Sequence, residues 1–149
     1  MITENRLTAY INSLDQGDGE LIEQIAETAV KNRVPIIRRE TAALLKTMVT
    51  LVSPARILEV GTAVGYSALL MASVMPENCR ITTIEKYEKR IPEAKENFCL
   101  AGMEEKITLL EGDAGESPRG AFRAPLSFYL HGTRQRGSIV TGCRISCAC

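Results

Sequence analysis

The chain has no tryptophan, one histidine and seven other aromatic residues among 149. It has no run of about 18 apolar residues, which excludes a helix that crosses a bilayer. Its start, MITENRLTAY, carries neither a basic cluster nor an apolar segment, so a secretory leader is not expected and the cytoplasm is. The histidine, His131, stands alone. Cys143, Cys147 and Cys149 form a C-x3-C-x-C pattern, which is not a usual zinc spacing and lacks a fourth ligand. A dinucleotide fingerprint is also missing. The one glycine turn of that kind reads Gly61-Thr62-Ala63-Val64-Gly65, with Ala63 where G-x-G-x-x-G needs its second glycine.

The last absence is local. Residues 117–149 contain no Asp, Glu, Lys or Asn, five Arg and three of the five Cys. Residues 1–116 hold all 18 acids and 13 of the 18 Lys and Arg, a net of −5 against +5 for the remainder. The formal charge of zero is thus the sum of two unlike segments.

Helical spacing of apolar residues predicts helices over 4–14, 19–32 and 38–52. Asp18 is the expected cap of the second helix, whose apolar face is Leu21, Ile22, Ile25, Ala29 and Val30. The third carries Leu44, Leu45, Met48, Val49 and Leu51, and Pro54 closes it. Alternation then begins: strand 56–60, helix 66–75, strand 80–84, helix 87–101, strand 106–110. Such an order implies a parallel sheet with helical crossovers.

The chemistry gathers at the strand ends. Ile57-Leu58-Glu59-Val60 reads as a buried strand that runs into the glycine turn and then a helix, the arrangement by which doubly wound domains hold nucleotide-like cofactors. Gly61 permits a sharp turn, and Gly65 permits close approach of a ligand. Glu85 ends the second strand, where an acid accepts hydrogen bonds from two ribose hydroxyls. Asp113 and Ala114 follow the third strand, where an adenine ring would lie. NAD and S-adenosylmethionine both fit a glycine turn with an acidic strand end. S-adenosylmethionine fits better, since it brings no pyrophosphate and its cationic sulfonium suits an acid such as Glu59 beside the turn.

ILEVGTAVGYSALLMA, TTIEKYEKR and LLEGDAGE resemble the class I S-adenosylmethionine-dependent O-methyltransferases of the catechol and caffeoyl-coenzyme A type. The resemblance covers about residues 18–116. The lead-in Val34-Pro35-Ile36-Ile37 is most similar to bacterial tRNA 5-hydroxyuridine methyltransferases. The resemblance implies that Glu59, Gly61, Thr62 and Ser67 hold the methionine part, Glu85 the ribose, Asp113 and Ala114 the adenine side, and that Ile37 lies near the cofactor. It implies a divalent cation, Mg2+, whose ligands come in a D-A-A-K-G-Q-Y-like motif after the fourth strand and in a later D-N pair. Neither is present here, so no catalytic or metal-ligating residue is assigned.

The expected fold class is α/β: N-terminal helices, then the first half of a Rossmann-like doubly wound parallel sheet with its C-terminal strands missing. The expected domains are a helical lead-in (1–53), a cofactor-binding half (54–116) and an aberrant, disordered tail (117–149). A shifted reading frame accounts for that tail. Codons allowed for Gly132 to Cys149, read out of frame, permit D-A-A-K-G-Q-Y-R-N-W-L-P-D-I-L-R-L, and Phe128 to His131 in the other frame permit F-I-F-M. On this reading the first strand is left open on one side and the chain as written is inactive. The first-choice acceptor is the tRNA wobble 5-hydroxyuridine, with a catechol or other small phenol second. No basic stripe in residues 1–116 argues for RNA independently. Two other classes remain: a non-catalytic module that binds S-adenosylmethionine or a partner, and an NAD-dependent oxidoreductase. The resemblance also implies a homodimer for the intact family.

Overall fold

The computed structural model describes residues 17–115, 128–135 and 138–145, together with Arg6, Ala9, Tyr10 and Ser13. The helix expected over 4–14 lies largely outside the described residues, although those four positions are helical. So do 116–127, 136–137 and 146–149, most of the expected tail.

Four helices and five strands are described: α1 (Glu20–Lys31), α2 (Arg39–Val52), β1 (Arg56–Val60), α3 (Tyr66–Val74), β2 (Arg80–Glu85), α4 (Ile91–Leu100), β3 (Ile107–Glu111), β4 (Phe128–Gln135) and β5 (Ser138–Ile145). The strand order is β3-β2-β1-β4-β5, with β1 parallel to β2 and β4, β2 parallel to β3, and β5 antiparallel to β4. The α/β architecture with a helical lead-in and three successive parallel strands is as expected. Two further strands follow β3, which corrects the expected absence of strands there. The open side expected for β1 is also corrected, because Ile57 to Val60 pair with Phe128 to His131. These strands lack a clean alternation and contain Gly132 and Gly142, which hid them from a periodicity reading.

α1 forms where expected, but Asp18 does not cap it. Gly19 takes the N-cap position at φ 90°, and the Asp18 carboxylate instead pairs with Lys46 of α2, buried to 6% exposure. On α2 the buried stripe is Ala42, Leu45 and Val49, while Leu44 and Leu51 are exposed. At 100° per residue, Leu44 and Leu51 lie roughly 130–150° from the centre of that stripe, on the opposite face. Val30 is likewise exposed, whereas Ile25 and Ala29 are buried. α4 starts at Ile91, later than expected, with Pro92 in its first turn, where its missing N–H costs nothing.

α3 is buried nearly all round, through Tyr66, Ala68, Leu69, Leu70, Met71 and Ala72. Such a helix is a core element rather than a surface one. Residues in register across the sheet share a face. Ile57, Ile81 and Ile107 form one apolar row inside the core. Two residues further along each strand, the same face carries Glu59, Thr83 and Leu109, with Leu130 opposite Glu59 on β4. A carboxylate and a hydroxyl thus interrupt an apolar row, and the site is built there. No helix among the described residues is long and apolar enough to cross a membrane.

Leu70 is fully buried. Leu70→Ala is expected to destabilise the chain by about 2–5 kcal/mol through lost contacts and a residual cavity, measured by urea unfolding.

Candidate functional site

β1 ends at Val60, and the chain folds back onto β2. Gly61 N–H donates to the Ile84 carbonyl at 2.9 Å, and Thr62 N–H to the same oxygen at 3.3 Å. Gly65 N–H closes the turn onto the Thr62 carbonyl at 2.8 Å. Gly61 and Gly65 have φ of 98° and 86°, and Ala63 takes φ 50° despite its Cβ. A left-handed alanine costs roughly 1 kcal/mol, so the surrounding contacts must hold it. Two of them come from α4. Asn97 Nδ2 donates to the Val64 carbonyl at 2.8 Å. The Phe98 ring lies so close under Gly65 that a Cβ there would meet its Cε1 at 2.5 Å.

Glu85 is 8% exposed, and both its oxygens accept backbone bonds: Oε2 from Ala63 N–H at 2.7 Å and Oε1 from Tyr87 N–H at 2.9 Å. The carboxylate therefore fixes the strained alanine and retains lone pairs for a ligand. Glu59 is 1% exposed. Its Oε1 accepts from the Ser67 hydroxyl, and its Oε2 from Thr83 Oγ1 at 2.6 Å. Thr62 Oγ1 lies 2.6 Å from Thr83 Oγ1, so the chain of polar groups ends in the turn. Burial pushes the Glu59 carboxyl up to about 7; the Ser67 and Thr83 hydrogen bonds oppose that rise, and the charge of Glu85 adds to it. Asp113 is exposed. Its Oδ1 accepts from Gly115 N–H at 2.9 Å and Lys86 lies 3.5 Å from its Oδ2, and both contacts hold it below its ordinary value.

The structure thus brings Glu59, Thr62 and Ser67 into one buried cluster, with Gly61 exposed above it. Glu85 joins the same turn through Ala63, and Asp113 meets the end of β2 through Lys86. Ala114 is half-buried beside Asp113. Ile37 and Tyr66 line a cleft of about 640 Å3 between α1, the lead-in to α2 and the start of α3. Thr83, Asn97 and Phe98 escaped the sequence reading. Thr83 left only a faint trace there, as a polar residue two before Glu85 in a strand that also carries Arg80 and Thr82.

A glycine turn between β1 and α3, flanked by acids at three successive strand ends, is the arrangement by which α/β domains hold nucleotide-like cofactors. The chain belongs to the O-methyltransferase family, whose model matches residues 12–118. It is 33% identical over 73 residues to catechol O-methyltransferase B of Danio rerio, covering 49% of this chain and 28% of that protein. The chain therefore spans well under two thirds of that curated relative. A solved structure from Staphylococcus aureus, provisionally assigned as a caffeoyl-CoA O-methyltransferase, superposes with a TM-score of 0.73 at 34% identity, over 80% of this chain and 56% of that one. The SAH-bound Podospora anserina methyltransferase PaMTH1 gives 0.69 at 26% identity, over 76% and 50%.

Two expectations follow from the geometry. Gly65→Ala places a Cβ in the Phe98 ring at a positive φ, and is expected to cost at least about 2 kcal/mol in urea unfolding. Glu59 holds its proton in the folded chain up to about pH 7 but releases it near 4.5 when unfolded. The folded state therefore binds the extra proton between those values, and its stability falls as pH rises through that window. The expected contribution is about 3 kcal/mol, fully present below pH 4.5 and gone above 7. Glu59→Gln should remove this component from a plot of unfolding free energy against pH.

Proposed function

We propose that the site is the S-adenosylmethionine-binding half of an O-methyltransferase whose acceptor is the hydroxyl of a small catechol or other phenol. The observation that carries this reading is the pair of carboxylates, Glu59 and Glu85, on either side of the glycine turn. Two acids there repel a pyrophosphate and attract a cation, which favours a sulfonium cofactor over a dinucleotide. The bound cofactor supplies a methyl group on a positively charged sulfur, ready for transfer to a nucleophilic oxygen.

The chain's own residues divide the binding. Glu85, already oriented by two backbone N–H groups, accepts the ribose hydroxyls. Gly61 and the turn backbone lie against the methionine part, with Ser67 beside them and the Glu59 charge beneath. Thr62 holds the turn from inside. Asp113 accepts from the adenine amino group, Ala114 meets the ring, and Ile37 gives an apolar wall.

The acceptor class is supported by the catechol and caffeoyl-CoA names of the relatives. The tRNA 5-hydroxyuridine reading gains no support from them. Among the described residues no three His, Cys, Asp or Glu side chains converge as cation ligands, so no step through Mg2+ is derived. The half-site described binds the cofactor. Activation of the acceptor oxygen requires groups that the sequence does not supply after β4, so the 149-residue chain is expected to give no methylation of catechol.

Titration calorimetry with S-adenosylmethionine tests the cofactor reading. Binding is expected, and Glu85→Ala should weaken it about 10- to 100-fold, with Glu85→Gln less affected because it keeps one acceptor. No binding by the unaltered chain, or tighter binding of NADH, would overturn the proposal.

A further inference from the structure

We propose that Thr83 is a positioning residue that couples the charge of Glu59 to the shape of the cofactor turn through Thr62. The inference rests on the cofactor reading above and names a residue of the same site that the sequence did not mark. It stands on three buried side chains in a row. Glu59, Thr83 and Thr62 are each at most 1% exposed, and both O···O separations are 2.6 Å.

A hydroxyl has a single hydrogen to donate. While Glu59 is ionised, Oε2 can only accept, so Thr83 gives its hydrogen to Glu59. The Thr62–Thr83 contact then requires Thr62 to donate. Every hydrogen in the row points down, from the turn into the sheet. When Glu59 takes up a proton, that hydrogen must be donated in its turn. Ser67 and Thr83 are the two hydroxyls within reach. If Thr83 receives it, the row reverses: Thr83 donates to Thr62, and the Thr62 hydrogen must find an acceptor on the turn side. Thr62 forms the turn itself, through its N–H on Ile84 and its carbonyl under Gly65 N–H. Reversal therefore acts on the backbone that faces the ligand.

The surroundings isolate this switch. On β2 the groups facing Glu59 are Thr83 and, one pleat further, Glu85, which is the one charged group acting on Glu59 among the described residues. On β4 its register partner is Leu130, while His131 is in register with Val60. α3 contributes Ser67 and no charged residue. Burial raises the Glu59 carboxyl to about 7, so both charge states are populated near neutrality.

The test follows the turn amides and the Glu59 side-chain carboxyl by NMR between pH 5 and 9, in the full chain. In the unaltered chain the Thr62, Ala63 and Gly65 amides are expected to titrate together with the Glu59 carboxyl. Thr83→Ser should preserve this. Thr83→Val should flatten the turn response, as should Thr62→Val, which leaves the Glu59 titration in place and decides the matter if Thr83→Val does not fold. Turn amides that stay still while Glu59 titrates, or that follow it as fully in the valine variants, would overturn the relay, the charge then acting through space alone. Affinity for S-adenosylmethionine is the second readout. It is expected to be about tenfold higher at pH 8 than at pH 6 if the ionised form binds. Thr83→Val should move the inflection upward, and Thr83→Ser should not. A loss equal at every pH marks a merely structural role and overturns the proposal. No binding by the unaltered chain overturns the cofactor reading, while the amide titration still decides the relay.

Discussion

Everything at this site depends on one buried carboxylate that has no cationic partner among the described residues. Glu59 sits in the face of the sheet that otherwise packs against α3, in a row continued by Leu109 and Leu130. Removing a carboxylate from water without compensation costs several kcal/mol. The fold compensates with two hydroxyls, one from the helix above and one from the strand beside it. Those bonds fix the first turn of α3 relative to β1 and β2. They also place a carboxyl group beneath the glycine turn at this strand end. A sheet row filled entirely by aliphatic side chains would be more stable and would have nothing with which to favour a cation.

The turn above that charge is held by elements other than itself. Its N–H groups go to β2, its strained alanine is fixed by Glu85, and its far end rests on the α4 side chains Asn97 and Phe98. A loop with two positive-φ glycines and one positive-φ alanine would otherwise sample many conformations. Binding a small ligand through backbone groups requires that this freedom be removed beforehand, since ordering on binding is subtracted from affinity. Membership in the O-methyltransferase family fits this design: methyl transfer depends on placing a sulfonium and an oxygen in line, which demands a rigid cradle.

What was legible in the sequence follows from the range of the interactions. Glu59, Gly61, Gly65 and Glu85 were readable because a strand, a turn and a helix follow one another locally, and chain order alone puts them at strand ends. Thr83 was not, because its role depends on the register of β1 against β2, which no local pattern encodes. Asp18 looked like a cap, but Gly19 intervened and Lys46, far along the chain, took the carboxylate. Val30, Leu44 and Leu51 were placed inside by hydrophobicity and stand outside because helical angle, not composition, selects the buried stripe. β4 and β5 were missed because glycines interrupt them and because the pairing of β4 with β1 joins distant parts of the chain.

The Phe98–Gly65 contact ties the cradle to a residue 33 positions later, across a whole strand and helix. Closing a loop of that length is entropically costly and must come before its reward. The local strand, turn and helix alone leave this contact unmade; the turn has its full set of supports only where the following βα unit is docked against it.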